Sequence, residues 1–324
     1  MKKARKEYIQ SCEVSEVVSV TLGGYPQKIA IEGKKRELPV VICLHGGPGS
    51  PVPFSVGARG LFPEWTDEAV MVYWDQLGCG INNCKIDNSF SVDSFVEMTC
   101  DLVKEIKNRF PQNKVYLFGI SWGSALALKA ALKIPDSLDG AFCYGQLLKN
   151  DFFSEEILKA FSSAPKKVQR EIEEIVKTGS DCEYKILDKN LKKRSKYLSK
   201  YTDGFINKKG EPIKIGEIAK GLLSSPDYRF RDFMAVVKNG YRGNESLVRE
   251  VLTIDLAKDL CDIRIPYLII QGDTDLVTLT KTVCEAVQNC GNENVSCKVV
   301  KDSGHMPSMA AMVEVLEALT EFIK

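Results

Sequence analysis

The sequence contains only two histidines, His45 and His305, among its 324 residues. It has no CxxC pair, and its eleven cysteines are an odd number scattered along the chain. Two histidines and scattered cysteines offer few ligands for zinc, so we expect neither a metal site nor a cofactor. Scattered cysteines favour free thiols in a reducing compartment over a framework of disulfides.

Long hydrophobic runs and an excess of one charge are also missing. No apolar run reaches the roughly 18 residues of a membrane-spanning helix, and the basic N-terminus lacks the apolar stretch of a signal peptide. Lys and Arg total 44 against 43 Asp and Glu, which leaves a net charge of +1. This balance does not favour a nucleic-acid partner. We therefore expect a cytoplasmic protein with neither membrane nor nucleic-acid partners, and the sequence carries no signature of an oligomer.

Strand and helix patterns alternate in two parts of the chain. Apolar runs such as PVVICL, AVMVYW and KVYLFG are typical of strands covered on both faces, and helices are predicted between them. The alternation predicts a mostly parallel, twisted α/β sheet with helices on both faces, preceded by a β-hairpin within the first 38 residues. Residues 147–250 are helix-rich and charged. We predict a core of residues 1–146 and 251–324, interrupted by a helical cap of residues 147–250.

The segment GISWG places a serine at a predicted junction between a strand and a helix. A tight turn there leaves no room for side chains at Gly119 and Gly123. It would raise the Ser121 hydroxyl above the strand ends, at the positive end of a helix. The alternative is a glycine turn with an incidental serine, but the flanking strand and helix favour a nucleophile.

A serine hydroxyl is a weak nucleophile and needs a base. In sheets of this kind the base follows an acid that stands at a preceding strand end, which assigns His305 as the base. His45 is then expected to orient its own loop. Asp273 and Asp275 both follow the strand IPYLIIQG. We favour Asp275 as the acid, because the loop must curl back before a carboxylate faces the histidine, and Asp273 remains the alternative as a turn-former.

An oxyanion formed at the substrate carbonyl needs two N–H donors. The first is the backbone N–H of Trp122, directly after the nucleophile. The second is expected from the loop HGGPG, where glycine amides approach without a side chain in the way. Gly47 is the first choice in this loop, and Gly46 is the second.

The motifs HGGPG, DQLGCG and GISWG occur in the order and spacing of a known family. The sequence resembles the proline iminopeptidases (prolyl aminopeptidases), a branch of the α/β-hydrolases. The resemblance implies an α/β-hydrolase fold and a serine hydrolase that removes an N-terminal residue, often proline, from short peptides. In that family, acidic residues of the cap bind the free amine of the substrate. Glu155 and Glu156 are the candidates here, although we favour the interpretation that they are surface carboxylates of a helix. The family's DQRGSG segment lacks its arginine in this chain, and Asp75 is expected to support the loop under the site.

Other functions share these residues. An esterase or amidase acting on small acyl substrates would use the same triad. A non-catalytic ligand-binding protein of the same fold is a third possibility, although such proteins commonly lose a triad member. The lysine-rich stretch 185–200 is interpreted as a solvated helix face. Phe152, Phe153 and Tyr228 are expected either to line a pocket or to pack the cap on the core.

Overall fold

The computed structural model describes residues 2–211, 213–241 and 244–324. Its strands are β1 (Val14–Leu22), β2 (Tyr25–Gly33), β3 (Val40–Leu44), β4 (Val70–Trp74), β5 (Val115–Ile120), β6 (Gly140–Tyr144), β7 (Tyr267–Gly272) and β8 (Val295–Val300). Its helices are α1 (Lys2–Ser11), α2 (Pro63–Thr66), α3 (Val92–Arg109), α4 (Trp122–Lys133), α5 (Glu155–Ala160), α6 (Lys166–Thr178), α7 (Tyr184–Tyr201), α8 (Ile215–Leu223), α9 (Phe230–Val237), α10 (Glu245–Thr253), α11 (Thr280–Cys290) and α12 (Met309–Ile323).

The strands form a single sheet in the order β1-β2-β4-β3-β5-β6-β7-β8. β1 and β2 form the predicted antiparallel hairpin, and β2 also pairs antiparallel with β4. Every later pairing, from β4 through β8, is parallel. This arrangement confirms the prediction of a mostly parallel sheet. Helix α1, which precedes the hairpin, was not predicted.

Helices cover both faces of the sheet, as predicted for strands that are apolar throughout. Along β3, Ile42 packs in a core cluster with α3 and α4, whereas Val41 packs in a second cluster with α12. Successive side chains of a strand point to opposite faces, so this division places a hydrophobic core on each side of the sheet. Because β3 to β8 run parallel, their carboxyl ends lie at one edge of the sheet, where the loops after β3, β5, β7 and β8 converge.

The chain between β6 and β7 is helical and carries α5 to α10. Part of it has a small apolar cluster of its own, in which Ile157, Phe161, Ile172 and Leu198 pack together with Leu279. None of the helices in the described ranges combines the length and hydrophobicity that a membrane crossing requires.

Candidate active site

Ser121 stands at the sharp turn between β5 and α4. Its backbone has φ 53° and ψ −118°, a region that a non-glycine residue rarely adopts. A side chain at Gly119 would place its Cβ 2.6 Å from Ser124 Cα, and one at Gly123 would collide with the carbonyl oxygen of Leu44. Both glycines are therefore required by close backbone approach, and the turn holds Ser121 in a conformation that costs about 1–3 kcal/mol.

His305 lies between Ser121 and Asp275. Its Nε2 is 2.9 Å from Ser121 Oγ, and its Nδ1 is 2.8 Å from Asp275 Oδ2. An ionised carboxylate only accepts hydrogen bonds, so a neutral imidazole in this position carries its proton on Nδ1. Nε2 is then free to accept the hydroxyl proton of Ser121.

Asp275 is buried and held by several donors. Its Oδ1 accepts the backbone N–H groups of Val277 at 2.7 Å and Thr278 at 3.0 Å. Its Oδ2, which faces His305, also accepts from the Thr278 hydroxyl at 2.9 Å and from Gln271 Nε2 at 3.2 Å. These bonds satisfy a carboxylate that is only 2% exposed and fix its orientation toward the imidazole.

Asp273, the alternative acid, lies elsewhere in the same turn. Its two carboxylate oxygens accept the backbone N–H groups of Asp302 at 3.1 Å and Ser303 at 3.0 Å. It therefore joins the turn after β7 to the turn after β8, and the structure does not place it on His305.

The glycine loop after β3 lies beside the nucleophile. A Cβ at Gly46 would be 3.3 Å from Ser121 Cβ, and Gly47 has a φ of 122° that favours glycine. Gly46, Gly47 and Ser121 line the same cavity. Neither the Gly47 nor the Trp122 backbone N–H donates to another group in the part of the chain that the structure describes.

A buried network connects this loop to the turn at Ser121. His45 Nε2 accepts the backbone N–H of Gln76 at 3.0 Å, and its Nδ1 donates to Gly46 O at 2.8 Å. The Gln76 side chain donates to His45 O at 3.1 Å and accepts from the indole of Trp122 at 2.9 Å. Burial lowers the pKa of His45 to about 4, so its ring is neutral at pH 7 and supports the loop. Gln76 was not predicted as a site residue, although it belongs to the motif DQLGCG.

Asp75 lies beneath the site and is fully buried. It accepts the backbone N–H groups of Val56 and Ile81, both at 2.9 Å, and the hydroxyl of Tyr228 at 2.5 Å. Burial raises the pKa of this carboxyl to about 6, although the three hydrogen bonds act in the opposite direction. Asp75 and Tyr228 therefore tie the loops under the site to the segment that precedes α9.

A cavity of about 370 Å³ opens above Ser121 and His305. Its wall is mainly apolar and aromatic, formed in part by Phe54, Phe118, Tyr144, Phe152, Phe205, Met312 and Val315. Among the described lining residues there is no Asp or Glu. A small apolar cavity beside a hydroxyl and an imidazole suits a small substrate.

Glu155 and Glu156 do not reach this cavity. They occupy the first turn of α5, where negative charge favours the helix, and Glu156 lies 3.7 Å from Lys281 in a partly exposed ion pair. The structure therefore does not bring these carboxylates to the position expected for binding a substrate amine.

Arg194 lines the cavity instead, and the sequence reasoning missed it because it lies in the lysine-rich stretch. One signal was available. Leu187, Leu191, Arg194 and Leu198 follow helical spacing along α7, so Arg194 occupies a position on the apolar stripe of this helix. It is only 3% exposed.

Neither an activated thiol at Cys79 nor a metal site is found among the described residues. Cys79 is buried, and burial raises the pKa of its thiol well above the ordinary value, which disfavours a thiolate. All eleven cysteines are free. In the described ranges, no group of three or more His, Cys, Asp or Glu side chains converges where a metal ion could bind.

Comparison with known proteins agrees with this architecture. The family described as alpha/beta hydrolase fold matches residues 39–179. Two solved structures, VinJ (TM-score 0.64, 19% identity) and the proline iminopeptidase of Mycobacterium smegmatis (TM-score 0.64, 15% identity), each align with 95% of this chain. The alignments cover 98% and 97% of those structures, respectively. This chain has the α/β-hydrolase fold.

The curated proteins that this chain resembles include peptidases. The probable aminopeptidase YbaC of Bacillus subtilis is 32% identical over 120 residues, which are 36% of this chain and 37% of that protein. The proline iminopeptidase of Saccharolobus solfataricus is 25% identical over 301 residues, which are 92% of this chain and 88% of that protein. The predicted similarity to proline iminopeptidases is therefore confirmed.

Proposed function

We propose that this α/β-hydrolase uses Ser121, His305 and Asp275 as a catalytic triad and removes the N-terminal residue, of the proline type, from short peptides. The single observation that carries the triad is the continuous set of contacts from Ser121 Oγ through the imidazole to Asp275. The similarity to proline iminopeptidases supports the peptidase activity.

Catalysis would begin when Ser121 Oγ attacks the carbonyl carbon of the scissile bond and its proton passes to His305 Nε2. Asp275 would stabilise the resulting imidazolium through Nδ1–H. The backbone N–H groups of Trp122 and Gly47, with Gly46 as the second choice in the loop, would bind the negative oxygen of the tetrahedral intermediate. His305 then protonates the leaving amine, and the acyl group stays on Ser121.

Hydrolysis of this acyl-enzyme would repeat the sequence with water as the nucleophile. His305 removes a proton from the water, the new tetrahedral intermediate collapses, and Ser121 recovers its proton. No metal or cofactor takes part in this scheme. The substrate is a small molecule or a short peptide, in keeping with the size of the cavity.

A second candidate is an esterase or amidase acting on small acyl groups that lack a free amine. The cavity favours it, because none of the described residues in its wall is acidic and most are apolar. An ammonium group entering such a site would lose hydration without gaining a carboxylate partner.

A substrate panel separates the two candidates. The purified protein is assayed with prolyl and other aminoacyl amides, their N-acetylated forms and short acyl esters. Faster turnover of the free-amine prolyl amide supports the aminopeptidase, whereas turnover of acetylated amides or esters alone supports the second candidate.

Ser121→Ala is the control for this panel. We expect it to reduce kcat by several orders of magnitude on every substrate while leaving the circular dichroism spectrum unchanged. Full activity of Ser121→Ala would overturn the proposed nucleophile.

A further inference from the structure

The guanidinium of Arg194 is a buried cation among the described residues that line the cavity above Ser121. The side chain reaches the cavity from α7 and the residue is only 3% exposed. Arginine is almost never buried without a partner, because removal of its charge from water is unfavourable. The position therefore needs a compensating group.

That compensating group is not supplied by the described residues. With the described residues Arg194 makes one hydrogen bond, which Nη2 donates to the carbonyl oxygen of Leu276 at 3.2 Å. Within the described ranges, its Nε–H has no hydrogen-bond partner and no carboxylate lies within ion-pair distance of the guanidinium. Asp275 contributes a longer-range attraction, but its oxygens are already bonded to His305, Val277 and Thr278.

The guanidinium is nevertheless held in place. It lies over the ring of Phe152 at 4.1 Å from the centroid, and the Leu276 carbonyl fixes one end of the group. Burial lowers the pKa of Arg194 to about 9, which still leaves the group charged at pH 7. A rigid, charged and under-bonded guanidinium in a cavity is a prepared site for an anion.

We propose that Arg194 binds a carboxylate of the substrate and thereby determines which small molecules the cavity accepts. A carboxylate fits because it can take two parallel N–H bonds from a planar guanidinium. In a short peptide this group would be the free C-terminus, and in an ester or amide it would be a carboxylate on the acyl chain. The inference rests on the proposed hydrolase function, but it assigns a specificity-determining residue that the triad does not include.

The same charge disfavours a substrate ammonium near Arg194. No described residue of the wall is acidic, so the cavity contains nothing that would offset repulsion between the two cations. A substrate with a free amine must therefore hold that amine away from α7, with its carboxylate toward Arg194.

Matched substrate pairs test the proposal. The first pair is prolyl-glycine and prolyl-glycinamide, which differ only at the C-terminus. The second pair is para-nitrophenyl hydrogen glutarate and para-nitrophenyl pentanoate, which differ in the carboxylate of the acyl chain. We expect kcat/KM to be about 10–100-fold higher for the acid in at least one pair, the usual contribution of charge-assisted hydrogen bonds. The pair in which the acid is preferred shows whether Arg194 binds the C-terminal carboxylate of a peptide or a carboxylate on the acyl chain.

Arg194→Met is the decisive variant, and Arg194→Lys tests whether the bidentate hydrogen bonding of a guanidinium is needed. We expect Arg194→Met to remove the preference for the acid and Arg194→Lys to restore it in part. Lys196→Met is the matched control, because it removes one positive charge from the exposed side of the same helix. The control should retain the acid-to-neutral ratio of the wild type.

The proposal fails if Arg194→Met keeps the ratio of the wild type, or if both pairs give ratios near one. Those outcomes leave the triad untouched, since Ser121→Ala reports on it separately. If the wild type hydrolyses no member of either pair, calorimetric binding of the members of both pairs to wild type and Arg194→Met decides the matter. Tighter binding of the acid in either pair that disappears in Arg194→Met supports the proposal, and equal binding in both pairs overturns it.

Discussion

His305 Nδ1 lies 2.8 Å from Asp275 Oδ2, whereas the carboxylate of Asp273, two residues earlier, binds the backbone of a neighbouring turn. Two aspartates in one loop thus have different environments. One carboxylate can support the charge on an imidazolium, and the other stabilises the junction of two turns. This difference gives each residue a distinct predicted phenotype.

Replacement of each aspartate by asparagine separates these roles. We expect Asp275→Asn to lower kcat by about three to four orders of magnitude, because an amide in this position no longer stabilises the imidazolium or fixes its tautomer. Asp273→Asn should retain most of the activity and lose about 1 kcal/mol of unfolding free energy. Steady-state kinetics and urea denaturation measure the two effects. Comparable losses of kcat in both variants would contradict the assignment of Asp275 as the acid.

The hydrogen bond between Trp122 and Gln76 offers a second test. Trp122→Phe and Gln76→Met each leave a buried partner unsatisfied, and each should lower the free energy of unfolding by about 1–3 kcal/mol. The double variant should lose less than the sum, because neither partner then remains to be satisfied. Urea denaturation of the four proteins gives the coupling energy. Strict additivity would show that the two side chains do not interact in solution.

Gly123 is expected to be intolerant of any side chain. Gly123→Ala would place a methyl group against the Leu44 carbonyl in the central strand β3, and we expect a loss of about 3 kcal/mol or more. Gly216→Ala is the control, because nothing lies within 4 Å of the added carbon and the residue is in α8. This control should be neutral or gain about 0.5–1 kcal/mol. Chemical denaturation measures both, and a stable Gly123→Ala protein would contradict the close approach of the turn to β3.

His45 predicts a pH dependence of stability. Burial lowers the pKa of His45 from 6.5 to about 4. Between pH 6.5 and about 4, the unfolded chain therefore binds a proton at His45 that the folded chain does not bind. Stability is therefore complete above pH 6.5 and falls as the pH decreases toward 4, by about 3 kcal/mol in total.

The variant His45→Gln isolates this contribution. Asp75, whose raised pKa acts in the opposite direction over pH 3.8 to about 6, is present in both proteins and cancels from the difference. Urea denaturation at several pH values should show a shallower loss for His45→Gln between pH 6.5 and 4. Parallel curves for the two proteins would refute a neutral, buried His45.

Local sequence signals predicted the strand–turn–helix at Ser121, because the apolar strand, the glycine-flanked serine and the apolar helix are contiguous in sequence. The contacts of Arg194 and Gln76 were not predicted, because both depend on segments far apart in sequence. Arg5 is a further example: nothing in the basic N-terminal stretch indicates burial, yet the Arg5 guanidinium is buried and donates to the carbonyl oxygens of Gly57, Arg59 and Gly221. Charged residues that fold back onto distant backbone carbonyls leave no periodic pattern in a single sequence.

Arg194 belongs to α7, in the helical stretch between β6 and β7, whereas Ser121, Asp275 and His305 follow β5, β7 and β8. The proposed catalytic residues and the proposed recognition residue thus lie in separate portions of the polypeptide. We expect a library confined to α7 to redirect this protein toward neutral or cationic compounds without altering the proposed triad. The helical stretch between β6 and β7 is accordingly the natural target for re-engineering.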